Sequence, residues 1–102
     1  MKKILLHSLS GAIISEHSIG EIITQQIKAA LAEAQFVEID FAGIKAITTF
    51  TSKQIFGNLY LSMGNNDFFK KLYIKNATDT IKRTIKSGVQ DALEEKEHIN
   101  CA

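Results

Sequence analysis

The sequence predicts a small α/β protein in which residues 1–102 form one domain with the element order β-β-α-β-α-β-α. Segments in which apolar residues alternate with polar ones are separated by longer segments of helical periodicity. The predicted strands have one apolar face and one charged or mixed face, which favours a mixed four-stranded sheet with helices mainly on one side. A chain of 102 residues can bury one core but not two.

The first elements are two strands and a helix. Residues 3–7 alternate in polarity, and residues 12–14 form a short apolar run after Gly11. These segments predict a strand, a turn and a short second strand, which we expect to lie antiparallel at a sheet edge. Ser18 and Glu21 have the spacing of a capping box, and the apolar residues that follow at helical spacing predict the first helix.

The middle of the chain predicts two further strands around a second helix. Residues 36–41 return to a period of two and predict the third strand, and residues 71–75 predict the fourth. An apolar stripe predicts the second helix over about residues 51–62. Gly57 inside it costs about 0.8–1.0 kcal/mol relative to alanine, so we expect a neighbouring element to approach the helix closely there.

The C-terminal third predicts a loop at residues 65–67 and a last helix after Asn76, with residues 93–102 as a frayed tail. Right-handed crossovers make the first, third and fourth strands parallel, in the sheet order second, first, third, fourth. On the uncovered face, Glu38 and Asp40 of the third strand would then face basic residues of the neighbouring strands. These basic residues are Lys3, His7, Lys71 and Lys75.

Composition and charge restrict function and location. The formal net charge of +1 gives no global field for nucleic acid or membrane surfaces. The single Cys101 has no cysteine to pair with, which indicates a reducing compartment, so we expect a cytoplasmic protein. The apolar run near the N-terminus stops at His7 and no run reaches about 18 residues, so we expect neither a signal peptide nor a membrane span.

Signatures of enzymes are absent from the sequence. His7, His17 and His98 are isolated without zinc-site spacing, and there is no phosphate loop or Gly-x-Ser-x-Gly turn. We therefore predict that the protein is not an enzyme and needs no metal or cofactor. The sequence leaves open the roles of His17 and Cys101, and it leaves open whether the chain forms a homo-oligomer.

Three segments, residues 37–44, 47–50 and 55–57, combine a hydrophobic-Asp-Phe-x-Gly strand with a helix that contains a Phe-Gly pair. This pattern resembles the STAS superfamily, whose best-known members are bacterial anti-sigma factor antagonists, and more closely a small STAS-like family of unknown function. The resemblance implies a regulatory module that docks to a histidine-kinase-like ATPase. It also implies that the kinase switches the module off by phosphorylating a Ser or Thr at the start of the second helix.

The superfamily signature at that helix is Asp-Ser-Ser-Gly, with the first Ser as acceptor. With Asp40 placed on the strand Asp of the family, Thr48 aligns with the motif Asp, Thr49 with the acceptor, Phe50 with the second Ser and Thr51 with the Gly. Only the acceptor hydroxyl is retained. The partner-binding residues that follow from this resemblance are Asp40, Gly43, Thr48, Thr49, Phe50 and Thr51.

Two of these residues have structural interpretations as well. Thr49 is a phosphoacceptor or part of a threonine run that caps the helix. Asp40 is an exposed acid in a docking surface or the turn partner that fixes the Gly43 exit.

The last helix carries basic residues in its first half and acidic residues at its end, opposite to the preference of the helix dipole. This pattern indicates a solvated face or a bipolar docking surface. A nucleic-acid-associated regulator is the alternative function, and it would use a basic patch without aromatic residues interleaved. The patch consists of Lys70, Lys71, Lys75, Lys82, Arg83 and Lys86.

Overall fold

The computed structural model describes the backbone of residues 2–101 and the side chains of residues 2–64 and 66–95. Residues 49–63 form one continuous helical segment that contains a π-helical turn. In chain order the elements are β1 (Lys2–Leu5), α1 (Leu6–Ser10), β2 (Ile13–Ile14), α2 (His17–Glu33), β3 (Val37–Asp40), β4 (Ala46–Ile47), α3 (Thr49–Ser52), the π turn (Lys53–Gly57), α4 (Asn58–Met63), α5 (Asn65–Lys71), β5 (Leu72–Lys75) and α6 (Asp79–Cys101).

The central sheet is parallel and has the strand order β1-β3-β5. Val37 of β3 lies between Lys2 of β1 and Leu72 of β5, and the same register continues to the strand ends. β3 is buried along its whole length. The predicted parallel arrangement of the first, third and fourth strands is confirmed.

The predicted four-stranded sheet with an antiparallel edge strand is wrong. β2 pairs with β4 in parallel, with Ile13 opposite Ala46, in a separate two-stranded sheet. The chain does not turn back after β1, because it enters α1, which buries Leu6 and ends at Gly11 with a φ of 74°. This short helix carries the chain away from the edge of β1.

Three element boundaries also differ from the prediction. β1 ends at Leu5, so His7 lies on α1 and not on the sheet. The predicted capping box is absent, because α2 begins at His17 with Glu16 as its N-cap and no side-chain capping bond. Residues 65–67 begin α5 instead of forming a loop, since the positive φ of Gly64 turns the chain directly from α4 into the next helix.

The backbone of α6 continues to Cys101. Fraying of residues 93–102 concerns motion and stays a prediction. The side chains of His98 and Cys101 lie outside those that the structure describes.

The hydrophobic core lies between the central sheet and the helices α2, 49–63 and α6. Phe41 and Phe56 are its largest fully buried side chains, and their rings stack with centroids 6.1 Å apart. Aliphatic side chains from the strands and helices complete this core: Leu6, Ile14, Ile23, Ile27, Val37, Ile39, Ile55, Leu59 and Ile81.

The opposite face of the central sheet carries the predicted ion pairs. Lys3 Nζ lies 3.6 Å from Glu38 Oε2 and 3.4 Å from Asp40 Oδ2, and Lys75 Nζ lies 3.3 Å from Glu38 Oε1. Leu5 and Tyr73 on the same face are about half exposed, so solvent reaches it. Opposite charges on neighbouring strands therefore hold the two acids of β3 in place.

The two other expected partners on this face are wrong. His7 lies on α1 beside Gly43, and Lys71 ends α5, where its ammonium lies 4.0 Å from Asp67 Oδ2.

α6 packs against residues 49–63 across two glycines. A Cβ atom on Gly57 would lie 2.7 Å from the Cβ of Ala92 and 2.9 Å from the carbonyl oxygen of Gly88, which confirms the predicted close approach. A Cβ on Gly88 would lie 2.6 Å from the backbone nitrogen of Lys53. At the same crossing the buried Ser52 hydroxyl donates to the carbonyl oxygen of Thr84 at 3.0 Å. The two helices therefore touch backbone to backbone.

Candidate functional site

Three threonines at the start of α3 have different surroundings. Thr48 is the N-cap, and its hydroxyl oxygen accepts from the backbone N–H of Thr51 at 3.2 Å and donates to the Thr51 hydroxyl at 2.8 Å. Thr51 is fully buried. Thr49 is exposed as the first helical residue, and no hydrogen bond engages its hydroxyl within the described part of the chain. Thr49 therefore carries the accessible hydroxyl of the run.

Phe50 follows on the outer surface, with 66% of its area exposed. Its ring centroid lies 6.5 Å from that of His17, the first residue of α2. The side-chain amide of Gln54 donates to the carbonyl oxygen of His17 at 2.9 Å. The first turns of α2 and α3 therefore lie side by side.

The β2–β4 pair brings these two helices together. The backbone N–H of Thr48 donates to the carbonyl oxygen of Ile14 at 3.0 Å, so the parallel pairing continues up to the cap of α3. α2 begins three residues after β2 ends, and α3 begins two residues after β4 ends. Because β2 and β4 are parallel, the segments that follow them leave the two-stranded sheet at the same end, and His17 and Phe50 become neighbours. The contact between His17 and Phe50 was not predictable from the sequence, because β2 was expected at the edge of the central sheet and pairs with β4 instead.

Asp40 has a structural role. Its Oδ1 accepts from the backbone N–H of Ala42 at 2.8 Å and from the side-chain amide of Asn76 at 2.9 Å, and Lys3 lies beside Oδ2. Asn76 has a φ of 58°, and its bond to Asp40 ties the end of β5 to the end of β3. Asp40 is 5% exposed and its oxygens are occupied, so its carboxylate is not offered to a partner.

Gly43 forms the exit from β3. Its φ is 81°, a conformation that side chains rarely adopt, and a Cβ there would lie 2.9 Å from His7 Cδ2. Of the six predicted partner-binding residues, Asp40 and Thr51 are buried. Asp40 and Gly43 lie at the end of β3, whereas Thr48, Thr49 and Phe50 adjoin β2 and α2.

The surroundings of Asp40 make a prediction about acid stability. The hydrogen bond from Asn76, then that from Ala42 and the ammonium of Lys3, hold the pKa of the Asp40 carboxyl below its usual range, although burial acts in the opposite direction. Because this pKa is lower in the folded than in the unfolded state, the stabilisation is present above about pH 4 and is lost as the pH falls through the folded pKa. Asp40→Asn should lower the free energy of unfolding at pH 7. Below pH 4 the free energy of unfolding of the variant should fall less steeply with decreasing pH than that of the parent.

Urea unfolding at pH 7, 4 and 3 measures this effect. Asp91→Asn is the matched control, because Asp91 is exposed on α6 and should leave the pH profile as in the parent. Equal slopes for Asp40→Asn and the parent below pH 4 would contradict the prediction.

The predicted basic patch is divided between surfaces. Lys75 lies on the open sheet face beside Glu38, and Lys71 pairs with Asp67. Lys82 and Lys86 border a groove on α6, on the helical side of the sheet. Lys75 therefore lies on the face of the sheet opposite to Lys82 and Lys86.

The residues that the structure describes contain no group of three or more His, Cys, Asp and Glu residues that could hold a metal ion. No helix among them is both long enough and apolar enough to cross a bilayer.

Comparison with known proteins identifies the family. A family model described as "STAS-like domain of unknown function (DUF4325)" matches residues 20–82, which include β3, β4, the helical segment 49–63 and β5. Neither the curated proteins nor the solved structures give a match. The match covers more than half of the chain and includes the first turn of α3. The chain therefore belongs to the family of STAS-like domains of unknown function.

Proposed function

We propose that this domain is a regulatory protein-interaction module that binds a partner protein through the α3 surface, defined as His17, Thr48, Thr49 and Phe50. The observation that carries the proposal is Phe50, a large aromatic side chain that is 66% exposed at the start of a well-anchored helix. Exposed aromatic side chains on a rigid element are typical anchors of protein interfaces. The proposed role is binding and not catalysis.

The anchoring of α3 supports this role. Thr51 and Ser52 are fully buried directly after Phe50, and Ile55 and Phe56 one turn later are fully buried as well. Phe50 is therefore held outward by a backbone that cannot rotate to bury it. A partner would bind a surface whose backbone is already ordered, which reduces the entropy cost of association.

The position of Thr49 supports regulation by phosphorylation. Its hydroxyl is exposed beside Phe50, at the first turn of the continuous helical segment 49–63. A phosphate there would add about −1.5 to −2 charges at the centre of the α3 surface, and the helix N-terminus would tolerate that charge. By resemblance to anti-sigma factor antagonists, we propose a histidine-kinase-like ATPase as the partner and the bacterial cytoplasm as the setting.

Capture from native cells with tagged variants tests the proposal. We expect a partner protein to be enriched on the parent domain and reduced at least about tenfold on Phe50→Ala, as for a hot-spot residue that contributes more than about 1.4 kcal/mol. Phe69→Ala is the matched control, because Phe69 is 68% exposed but lies on α5. Quantitative mass spectrometry of the retained proteins gives the ratio.

The switch is tested in the same capture. Thr49→Glu should weaken retention of that partner, whereas Thr49→Ala removes only an exposed hydroxyl and should retain it. If every retained protein binds Phe50→Ala as well as it binds the parent, the α3 surface is not the binding site. If Phe50→Ala loses the partner but Thr49→Glu keeps it, the module binds constitutively.

A further inference from the structure

A second surface lies along α6. α5, β5 and α6 enclose a groove of about 350 Å³ that is lined almost entirely by apolar side chains, among them Phe68, Phe69 and Leu72. Phe69 at its edge is 68% exposed. Lys82 and Lys86 of α6 border this groove.

The same surface continues towards the C-terminal half of α6. A second hollow of about 340 Å³ is lined by Lys86, Val89, Gln90, Leu93 and Glu94, and Lys86 and Val89 line both hollows. Val89 and Leu93 are half-buried. One face of α6 therefore presents an apolar stripe with lysines at one end and a carboxylate at the other.

The charges on this face lack opposite charges within the described part of the chain. Lys82 and Lys86 lie one helical turn apart, and no described carboxylate lies within 4.0 Å of either ammonium group. Among the described residues, Glu94 accepts only a 3.5 Å hydrogen bond from the side-chain amide of Gln90. Lys86 and Glu94 are therefore charged side chains at the two ends of this face that have no opposite charge among the described residues.

We propose that two copies of this chain associate through antiparallel pairing of their α6 helices on this face. Lys86 and Glu94 each lie four residues, about 6 Å, from Gln90. With a twofold axis near Gln90, each Lys86 therefore faces Glu94 of the second copy, and the contact occurs twice. Lys86 and Glu94 lack an opposite charge among the described residues of one chain, and each gains one in the pair.

The apolar side chains fit the same arrangement. In the antiparallel pair, Leu93 of one copy lies opposite Lys86 and Val89 of the other, where the two hollows meet. A single helix pair is smaller than a standard interface of about 1,600 Å², so we expect a weak dimer.

Sedimentation velocity of the full chain from about 5 μM to 1 mM tests the proposal. Lys86→Glu places two carboxylates in opposition twice per dimer, and Glu94→Lys places two ammonium groups in opposition twice. Each variant alone should dimerise at least about tenfold more weakly than the parent. An equimolar mixture of the two restores both opposite-charge contacts and should return the affinity to within about threefold of the parent.

Lys28→Glu is the control, because it makes the same charge change on an exposed residue of α2 and should leave dimerisation unchanged. A parent chain that stays monomeric at about 1 mM overturns the proposal. Single variants that dimerise like the parent, or a mixture that fails to recover, also overturn it. Thermal melts check that the variants fold. If either variant does not fold, the concentration dependence of sedimentation of the parent decides whether the chain dimerises. The α3 surface takes no part in this test, so its outcome is independent of the proposed function.

Discussion

Gly88→Ala should lower the free energy of unfolding by about 2 kcal/mol, although alanine is the better helix former. The new Cβ would lie 2.6 Å from the backbone nitrogen of Lys53 and 2.7 Å from the backbone carbon and the hydroxyl oxygen of Ser52. Backbone atoms cannot move aside singly, so the cost lies at the upper end of overpacking, about 3 kcal/mol. The gain in helix propensity returns about 1 kcal/mol.

The measurement is a thermal melt, and about 2 kcal/mol corresponds to a fall of about 8–16 °C for a domain of this size. Gly20→Ala is the matched control, because it gains the same propensity on α2. The closest atoms to its Cβ belong to the end of the Gln54 side chain, whose buried Oε1 has no hydrogen-bond partner in the described part of the chain. This side chain can turn away at the cost of its bond to the carbonyl oxygen of His17, and the next atom, the methyl carbon of Thr51, lies at 3.0 Å. We expect its stability to stay within about 1 kcal/mol of the parent. If Gly88→Ala melts no lower than Gly20→Ala, the backbone contact is not tight.

Phe56→Ala should cost about 3–5 kcal/mol, the range for a fully buried phenylalanine. Phe56 lies in the π turn, is fully buried, and stacks on Phe41 at the centre of the core. Its removal leaves a cavity between the sheet and the helical segment 49–63, and the tight crossing with α6 restricts collapse into that cavity. Domains of this size are stable by about 5–15 kcal/mol, so the variant should lose a large share of its stability.

Urea titration of the variant gives the change in unfolding free energy at an unchanged m-value. Phe50→Ala is the control in the same helical segment, since 66% of the Phe50 side chain is already in water. Its stability should change by no more than about 0.5 kcal/mol. A loss below 1 kcal/mol for Phe56→Ala would contradict the assignment of this ring to the core. The contrast also separates loss of folding from loss of partner binding in the capture experiment.

The elements that could be predicted from the sequence are those in which the alternation of apolar and polar residues extends over several periods. The period of two over residues 36–41 and the helical stripes of α2 and α6 are repeated often enough to be recognised. The short elements could not be recognised, because β2 and β4 have two residues each and show no period. The start of α1 could not be told from a continued strand. Leu6 is buried two residues after the buried Ile4, which is the spacing that a strand with one buried face would also show.

The candidate site was predictable to the level of the segment but not of the side chain. The composition of the threonine run places it at the start of a helix. Which of its hydroxyls is hydrogen-bonded depends on the exact residue at which the helix begins, and the sequence does not fix that residue. Thr48 as the cap leaves Thr49 free, whereas a start at residue 51 would have occupied different hydroxyls. The contact between His17 and Phe50 depends on the β2–β4 pairing, and no local pattern reports it.

The parallel register of the central sheet has a consequence for how the chain folds. Each step across the sheet spans 35 residues, from Lys2 to Val37 and from Val37 to Leu72, so neither strand pair can form as a local hairpin. Every sheet contact requires closure of a long loop before any strand hydrogen bond forms, which slows folding relative to helical proteins of equal length. During synthesis β3 must wait for β5 with one of its edges unpaired. The helices α2 and 49–63 can form meanwhile and shorten the loops that the strands must close.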